Sequence, residues 1–165
     1  MNDAQCRALI QQHEGLRLTV YRDTAGVLTI GYGYNLENTF AEQDCIAIGI
    51  DYQATLNGAA ITLQQATALF EPSYQRAISD SSRSVQEFDK LPDDAAAVLV
   101  DLAYNLGYHR LQQFQHFLAA LDDGNWPMAA GALRQSLWCQ QVNSRCIDDM
   151  RLLQLLQTPP TGEKL

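Results

Sequence analysis

Three side chains near the N-terminus, Glu14, Asp23 and Thr29, supply two carboxyl groups and a hydroxyl within one short stretch of sequence. Asp23 follows Glu14 by nine residues, and Thr29 follows Asp23 by six. Two carboxyl groups in different environments can divide acid and base work, and a hydroxyl can position water. Taken singly, each has an ordinary explanation, because glutamate is common at solvated helix ends, aspartate in turns and threonine in strands. Their joint spacing among Gly15, Gly26, Gly31 and Gly33 favours catalysis.

Glu14 is predicted to lie at the carboxyl end of a helix. Cys6, Leu9 and Ile10 recur at helical spacing, and Gly15 suits the position just after a helix end. The helix dipole disfavours the ionised form of a carboxyl at this end. A protonated carboxyl is what a general acid requires, so the sequence favours that role for Glu14.

A β-hairpin is predicted to carry the other two side chains. Leu16, Leu18 and Val20 alternate with polar or amphipathic residues, which is the period of a half-buried strand. Residues 23–26 have turn chemistry, and residues 27–33 have the pattern of the returning strand. Asp23 in a polar turn is expected to stay ionised, as a base or charge stabiliser requires.

The same stretch resembles the catalytic segment of phage-type lysozymes, glycoside hydrolase family 24. The resemblance rests on Glu14-Gly15-Leu16-Arg17-Leu18, Tyr21-Arg22-Asp23-Thr24, Gly26 and Thr29-Ile30-Gly31-Tyr32-Gly33. It continues more weakly through Tyr104-Asn105-Leu106-Gly107, Trp126, Ser136, Trp138 and Arg145. It implies a muramidase that cleaves the β-1,4 bond between N-acetylmuramic acid and N-acetylglucosamine with inversion. Glu14 would be the acid, Asp23 the charge stabiliser and Thr29 the residue that positions water, with no metal or organic cofactor.

The resemblance also implies substrate-binding residues, for several of which other roles remain open. They are Gly33, Tyr34, Asn35, Tyr104, Asn105 and Arg145. Core packing is the alternative for Tyr104. Arg145 could pair with an acid of the sheet lobe, contact a saccharide carboxylate or form a surface salt bridge. Two features depart from the family pattern: Tyr34 stands where histidine is frequent, and acidic residues rather than a second base follow Arg145.

The fold implied is α+β and lysozyme-like, in one domain of 165 residues. A small sheet lobe is predicted at about 13–60, a long connecting helix at about 61–80 and a larger helical lobe at about 81–165. Helix 1–13 is expected to pack on the helical lobe, and the active-site cleft is expected between the lobes.

Capping patterns and apolar periodicity predict the remaining helices. Thr39–Glu42 and Thr62–Gln65 have the form of capping boxes, and Pro72 should kink or restart the helix that begins at the second. Residues 95–106 are apolar almost all round, which is typical of a buried helix. Further predictions are a solvated helix end at Asp80–Arg83, a turn at Trp138 and Cys139, a helix cap at Asn143 and a frayed tail from Thr158.

The composition of the chain limits which binding partners and which cellular compartment are expected. The formal net charge of −8 argues against nucleic-acid binding, which needs a basic surface. No apolar run is long enough to span a membrane, and the N-terminus lacks the pattern of a signal peptide. We therefore expect a monomer that reaches peptidoglycan in the periplasm or cell wall through lysis machinery or a dedicated secretion system. It would be a phage endolysin or an injected antibacterial toxin with a cognate immunity protein. The alternative is a noncatalytic glycan-binding or phage-tail structural module.

Four cysteines allow two opposed interpretations. Cys6, Cys45, Cys139 and Cys146 could all be reduced and buried as small apolar residues. Alternatively, Cys139 and Cys146 could form a disulfide around Asn143 in a protein that works in an oxidising periplasm. Four cysteines allow three ways of forming two disulfides, and the sequence does not choose among them.

Overall fold

The fold is α+β, as predicted: 65% of the residues that the structure describes are helical, and the strands among them form one three-stranded antiparallel sheet. The computed structural model describes residues 1–156, so the predicted frayed tail from Thr158 lies outside the described residues. The strands are β1 (Arg17–Arg22), β2 (Leu28–Gly31) and β3 (Tyr34–Asn35). The helices are α1 (Asp3–Glu14), α2 (Ala41–Ala47), α3 (Tyr52–Leu56), α4 (Leu63–Ser82), α5 (Asp93–Leu106), α6 (Tyr108–Leu111), α7 (Gln115–Asp122), α8 (Trp126–Gln135), α9 (Leu137–Val142) and α10 (Ser144–Leu155). A 3₁₀ turn covers Phe88–Lys90.

The chain divides into two compact units. A sheet unit comprises Ile10–Gln75, and a helical unit comprises Met1–Leu9 with the described residues from Arg76 onward. The divisions fall inside α1 and inside α4. None of the helices among residues 1–156 is both long and apolar enough to cross a membrane.

The sheet unit is held together by the apolar face of the hairpin. The strands run in the order β1-β2-β3, with Tyr21 opposite Thr29 and Thr29 opposite Asn35. The register shifts between Arg17 and Tyr21, which marks a bulge in β1. The core of this unit consists of Ile30, Leu36, Cys45, Ile50, Ile61, Ala66 and Leu69.

The predicted capping box at Thr62 is present at the start of α4. Thr62 Oγ1 accepts from the Gln65 amide at 3.1 Å, and Gln65 Oε1 accepts from the Thr62 amide at 2.9 Å. The helix does not restart at Pro72 but continues as one element to Ser82. The prediction of a solvated end was wrong for Asp80 and Ser81. Both are buried, because Asp80 pairs with Arg83 and the Ser81 hydroxyl donates to the Ala77 carbonyl.

The helical unit is organised around α5. Pro92 precedes its first residue, and its nine consecutive residues from Ala95 to Ala103 are buried. Gly107 ends the helix at a φ of 69°, a conformation that glycine adopts without strain. The all-round apolar pattern thus marked a buried helix, as predicted.

Three local predictions need correction. Helix α2 begins after Phe40 rather than Thr39, and no side chain caps it. Trp138 and Cys139 lie within α9, so this stretch is helical rather than a turn. The Ser136 hydroxyl caps the start of α9 by accepting a hydrogen bond from the Cys139 amide. Asn143 joins α9 to α10 with a φ of 45°, but its side chain makes no capping hydrogen bond.

The structure resolves the two interpretations of the cysteines in favour of one bridge. Cys139 and Cys146 form a disulfide that spans the connection at Asn143 between α9 and α10. Cys6 and Cys45 are free thiols, and both are buried.

Candidate active site

Glu14 is the last residue of α1 and its side chain is partly buried. The Gly15 amide donates to the Gln11 carbonyl at 3.0 Å, and Gly15 leaves the helix at a φ of 69°. The Glu14 carboxyl then lies against the backbone of Gly33. A Cβ atom at Gly33 would be only 2.9 Å from Glu14 Oε2. The Glu14 carboxyl can therefore occupy this position because residue 33 has no side chain.

Asp23 is held by the turn that it begins. Its Oδ1 atom accepts hydrogen bonds from the amides of Ala25 at 2.8 Å and Val27 at 2.9 Å. Its own amide donates to the Val27 carbonyl at 3.0 Å. Both side-chain bonds use the same oxygen, so among the described residues no hydrogen bond engages Oδ2 of this exposed carboxyl. Asp23 is thus oriented by backbone donors to one of its two carboxylate oxygens.

Thr29 is oriented by the same residue that holds Asp23. Its hydroxyl donates to the Val27 carbonyl at 3.0 Å, and the residue is only 3% exposed. Because the hydroxyl proton is used in this way, Oγ1 is left to accept from a water molecule. Val27, which the sequence interpretation did not single out, therefore couples the carboxyl of Asp23 to the hydroxyl of Thr29 through its own amide and carbonyl.

Tyr34 and Asn35 serve the packing and turns of the sheet unit. Tyr34 Oη donates to Asp44 Oδ2, and burial together with this bond raises the pKa of Tyr34 to about 12. Asn35 Oδ1 accepts from the Glu37 amide at 2.7 Å. The phenol of Tyr34 is thus already engaged within the protein, whereas Gly33 and Asn35 are exposed. Their roles in substrate binding stay predictions.

The three other predicted substrate-binding residues belong to the helical unit. Of the three roles left open for Arg145, the surface salt bridge is wrong, because the residue is buried. Its Nε and Nη2 atoms donate to the Asp101 carboxylate at 2.8 and 2.9 Å, and both residues are buried. Asn105 Oδ1 accepts from Trp138 Nε1 at 2.8 Å, and Tyr104 is partly buried. Asp101 is therefore a buried group that pairs with Arg145.

A second carboxyl, Asp149, lies in the same buried cluster. Burial raises its pKa well above the usual value, and the negative charge of Asp101 raises it further against the opposing effect of Arg145. Burial and the charge of Asp101 therefore both favour the neutral form of the Asp149 carboxyl.

Arg17 and Tyr21 are two residues of β1 to which the sequence analysis gave no role at the candidate site. The Arg17 guanidinium lies 4.7 Å from the centre of the Tyr21 ring. Burial raises the pKa of Tyr21, Arg17 lowers it, and the charges of Glu14 and Asp23 raise it. The alternation in β1 could have identified them, since it separates Arg17, Thr19 and Tyr21 from the core-facing residues.

Comparison with known proteins identifies the family of the chain. The sequence profile of the phage lysozyme family matches residues 11–149. The chain is 31% identical over 149 residues to the pre-baseplate central spike protein Gp5 of Enterobacteria phage T4, a match that covers 83% of this chain but 25% of Gp5. It is 25% identical over 146 residues to the probable T4-type lysozyme 2 of Dictyostelium discoideum, covering 83% and 86% of the two chains. The probable T4-type lysozyme 1 of the same organism is 21% identical over 164 residues, covering 91% and 92%. The chain thus spans about a quarter of Gp5, and it belongs to the phage lysozyme family.

Proposed function

We propose that the protein is a peptidoglycan muramidase that hydrolyses the β-1,4 bond between N-acetylmuramic acid and N-acetylglucosamine. The observation that carries the proposal is the way Val27 holds Asp23 and Thr29 in one unit that also contains Glu14. Membership of the phage lysozyme family supports glycan hydrolysis in general terms. The bond cleaved is the one that the resemblance to phage-type lysozymes implies, and the role of each residue follows from that resemblance together with the chemistry of its side chain.

Glu14 acts as the general acid. Its carboxyl transfers a proton to the glycosidic oxygen as the bond between that oxygen and the anomeric carbon breaks. The position against Gly33 fixes where this proton is delivered. Glu14 ends the step as a carboxylate, and the leaving sugar gains a free hydroxyl.

Asp23 and Thr29 act on the opposite side of the sugar. The carboxylate of Asp23 stabilises the positive charge that develops at the anomeric carbon and accepts a proton from the attacking water. Thr29 Oγ1 accepts the other hydrogen of that water and so aims its lone pair at carbon. A single displacement of this kind inverts the anomeric configuration, and in inverting enzymes the two carboxyls stand roughly 6.5–9.5 Å apart to admit the water.

The experiment is digestion of purified sacculi followed by borohydride reduction of the new chain ends. A muramidase creates reducing N-acetylmuramic acid, which becomes muramitol, and proton NMR of the first products should show the inverted α-anomer. If glucosaminitol appears in place of muramitol, the enzyme hydrolyses the other glycosidic bond of the glycan chain. A first product with retained configuration would refute the direct attack of water.

The match to Gp5 favours one alternative, a noncatalytic glycan-binding or phage-tail structural module, because Gp5 is named as a central spike protein. Such a module would sediment with sacculi and release no new reducing ends. Enzymatic release at catalytic protein concentrations would exclude it.

The proposed place of action is the peptidoglycan of the periplasm or cell wall, reached through lysis machinery or a dedicated secretion system. An injected toxin requires a cognate immunity protein, whereas an endolysin does not. Expression directed to the periplasm, with and without the neighbouring genes, distinguishes these roles by whether a neighbour prevents lysis. Light scattering during gel filtration tests the expectation of a monomer.

A further inference from the structure

Arg17 is a cation that has no acidic partner among the described residues, and it lies in a strongly acidic unit. The sheet unit, Ile10–Gln75, contains seven carboxylate side chains and two arginines. Arg22, the other arginine, donates to the Gly26 carbonyl at 2.6 Å and lies 3.7 Å from Glu37. Among residues 1–156, no hydrogen bond or ion pair engages the guanidinium of Arg17, and the residue is exposed.

Tyr21 gives this guanidinium a defined place. The Cζ atom of Arg17 lies 4.7 Å from the ring centre, within the range of a cation–π contact. An arginine stacked on a ring keeps the N–H donors at the edge of its plane available, and their fork matches the two oxygens of a carboxylate. The contact therefore orients the cation and limits the loss of side-chain freedom when it binds an anion.

The pair lies on the face of the sheet that carries the catalytic hydroxyl. Tyr21 is the direct antiparallel partner of Thr29, and partners in adjacent strands place their side chains on the same face. Glu14 and Asp23 belong to the same unit, and their charges raise the pKa of the Tyr21 phenol. An anion bound by Arg17 would thus lie next to the position of bond cleavage.

We propose that Arg17, supported by Tyr21, binds a carboxylate of the peptide stem attached to the muramic acid residue. This inference rests on the proposed muramidase function. Among the chemical groups of that substrate, the peptide carboxylates are the anions that a planar cation of this kind selects. Arg22, the other arginine of this unit, is engaged by the Gly26 carbonyl and lies near Glu37, so Arg17 is the arginine that offsets the repulsion between the acids of this unit and an anionic stem.

The test compares native sacculi with sacculi whose carboxyl groups have been converted to amides by a carbodiimide and ammonia. The parent protein, Arg17→Gln, Arg17→Lys and Arg134→Gln are measured on both substrates. Arg134→Gln is the matched control, because it removes one exposed arginine charge from the helical unit. Melting temperatures verify that each variant is folded, and Arg17→Lys retains the charge if the glutamine variant is unstable.

The expected signature is an interaction between the variant and the substrate. Amidation should raise KM of the parent and of Arg134→Gln by roughly fivefold, the size of one partly exposed charge-assisted hydrogen-bonded pair. Arg17→Gln should show the raised KM on native sacculi, no further rise on amidated sacculi, and an unchanged kcat. Arg17→Lys should fall between the two.

Equal sensitivity of the parent and Arg17→Gln to amidation would overturn the inference, as would a parent that does not distinguish the substrates. Failure of the proposed function is a separate result, because an inactive parent would release no reducing ends from native sacculi. If a variant lowers kcat without changing KM, Arg17 acts on the chemical step and the carboxylate site is refuted.

Discussion

Replacing Gly33 with alanine tests how the catalytic acid is positioned. The new Cβ atom would lie 2.9 Å from Glu14 Oε2, whereas ordinary contacts begin at 3.4 Å, so the carboxyl must move by about 0.5 Å. A displacement of 1 Å can cost about a hundredfold in rate, so we expect kcat to fall by about tenfold or more. The movement is feasible because the contact involves the end of a flexible side chain.

Gly49→Ala is the matched control for the backbone conformation. Gly49 has a φ of 74°, close to the 78° of Gly33, but a Cβ atom there would meet nothing within 4 Å. Both substitutions place alanine in the left-handed region at a cost of about 1–2 kcal/mol. Both proteins should therefore melt a few degrees lower, at roughly 2–4 °C per kcal/mol. The loss of kcat should be confined to Gly33→Ala.

The assay combines initial rates on sacculi with carbon-13 NMR of the Glu14 carboxyl. The second readout is independent of turnover, because displacement of the carboxyl changes its chemical shift. The reasoning fails if Gly33→Ala melts like Gly49→Ala and keeps the parental kcat. It also fails if the Glu14 resonance shifts equally in both variants.

Four other measurements test separate parts of the account. Glu14→Gln should lower muramidase activity by about 10²–10⁴-fold or more, because no proton donor remains. Its melting temperature should be unchanged or slightly raised, because a carboxyl is removed from a helix C-terminus. Activity within tenfold of the parent would disprove the role of Glu14. The raised pKa of Asp149 means that the folded state binds a proton at this carboxyl more tightly than the unfolded state does. The contribution of Asp149 to the free energy of unfolding is therefore present at low pH. It is lost as the pH rises from about 4 through the pKa of Asp149 in the folded state. Denaturant unfolding across this range should show that loss in the parent and not in Asp149→Asn. Thiol titration in denaturant without reductant should find two free thiols, and reduction of the Cys139–Cys146 bridge should cost roughly 2–3 kcal/mol for so short a loop. Activity should not collapse between low and physiological salt, since the net charge of −8 offers little long-range attraction to anionic wall polymers; a steep loss would reveal a basic patch.

The predictions that were right depended on signals within a few residues of one another. The capping pair Thr62 and Gln65 and the helix end at Gly15 each involve a hydrogen bond or dihedral angle that local sequence determines. The sequence of α5 likewise predicts burial, because a helix that is apolar on nearly all sides has no polar face to present to water. The α+β class and the family followed from such local patterns and their spacing.

Tertiary structure alone decided which distant groups meet. Arg145 pairs with Asp101 across 44 residues, and Asn105 accepts from Trp138 across 33, because packing of the helical unit brings α5 against α9 and α10. The contact of Glu14 with Gly33 similarly depends on where the turn after β2 lies against the end of α1. Sequence spacing identified the acids, the hydroxyl and the glycines as a set. It could not show that Arg145 is buried or that Gly33 bounds the acid, because both depend on how elements pack together, and no local pattern records that.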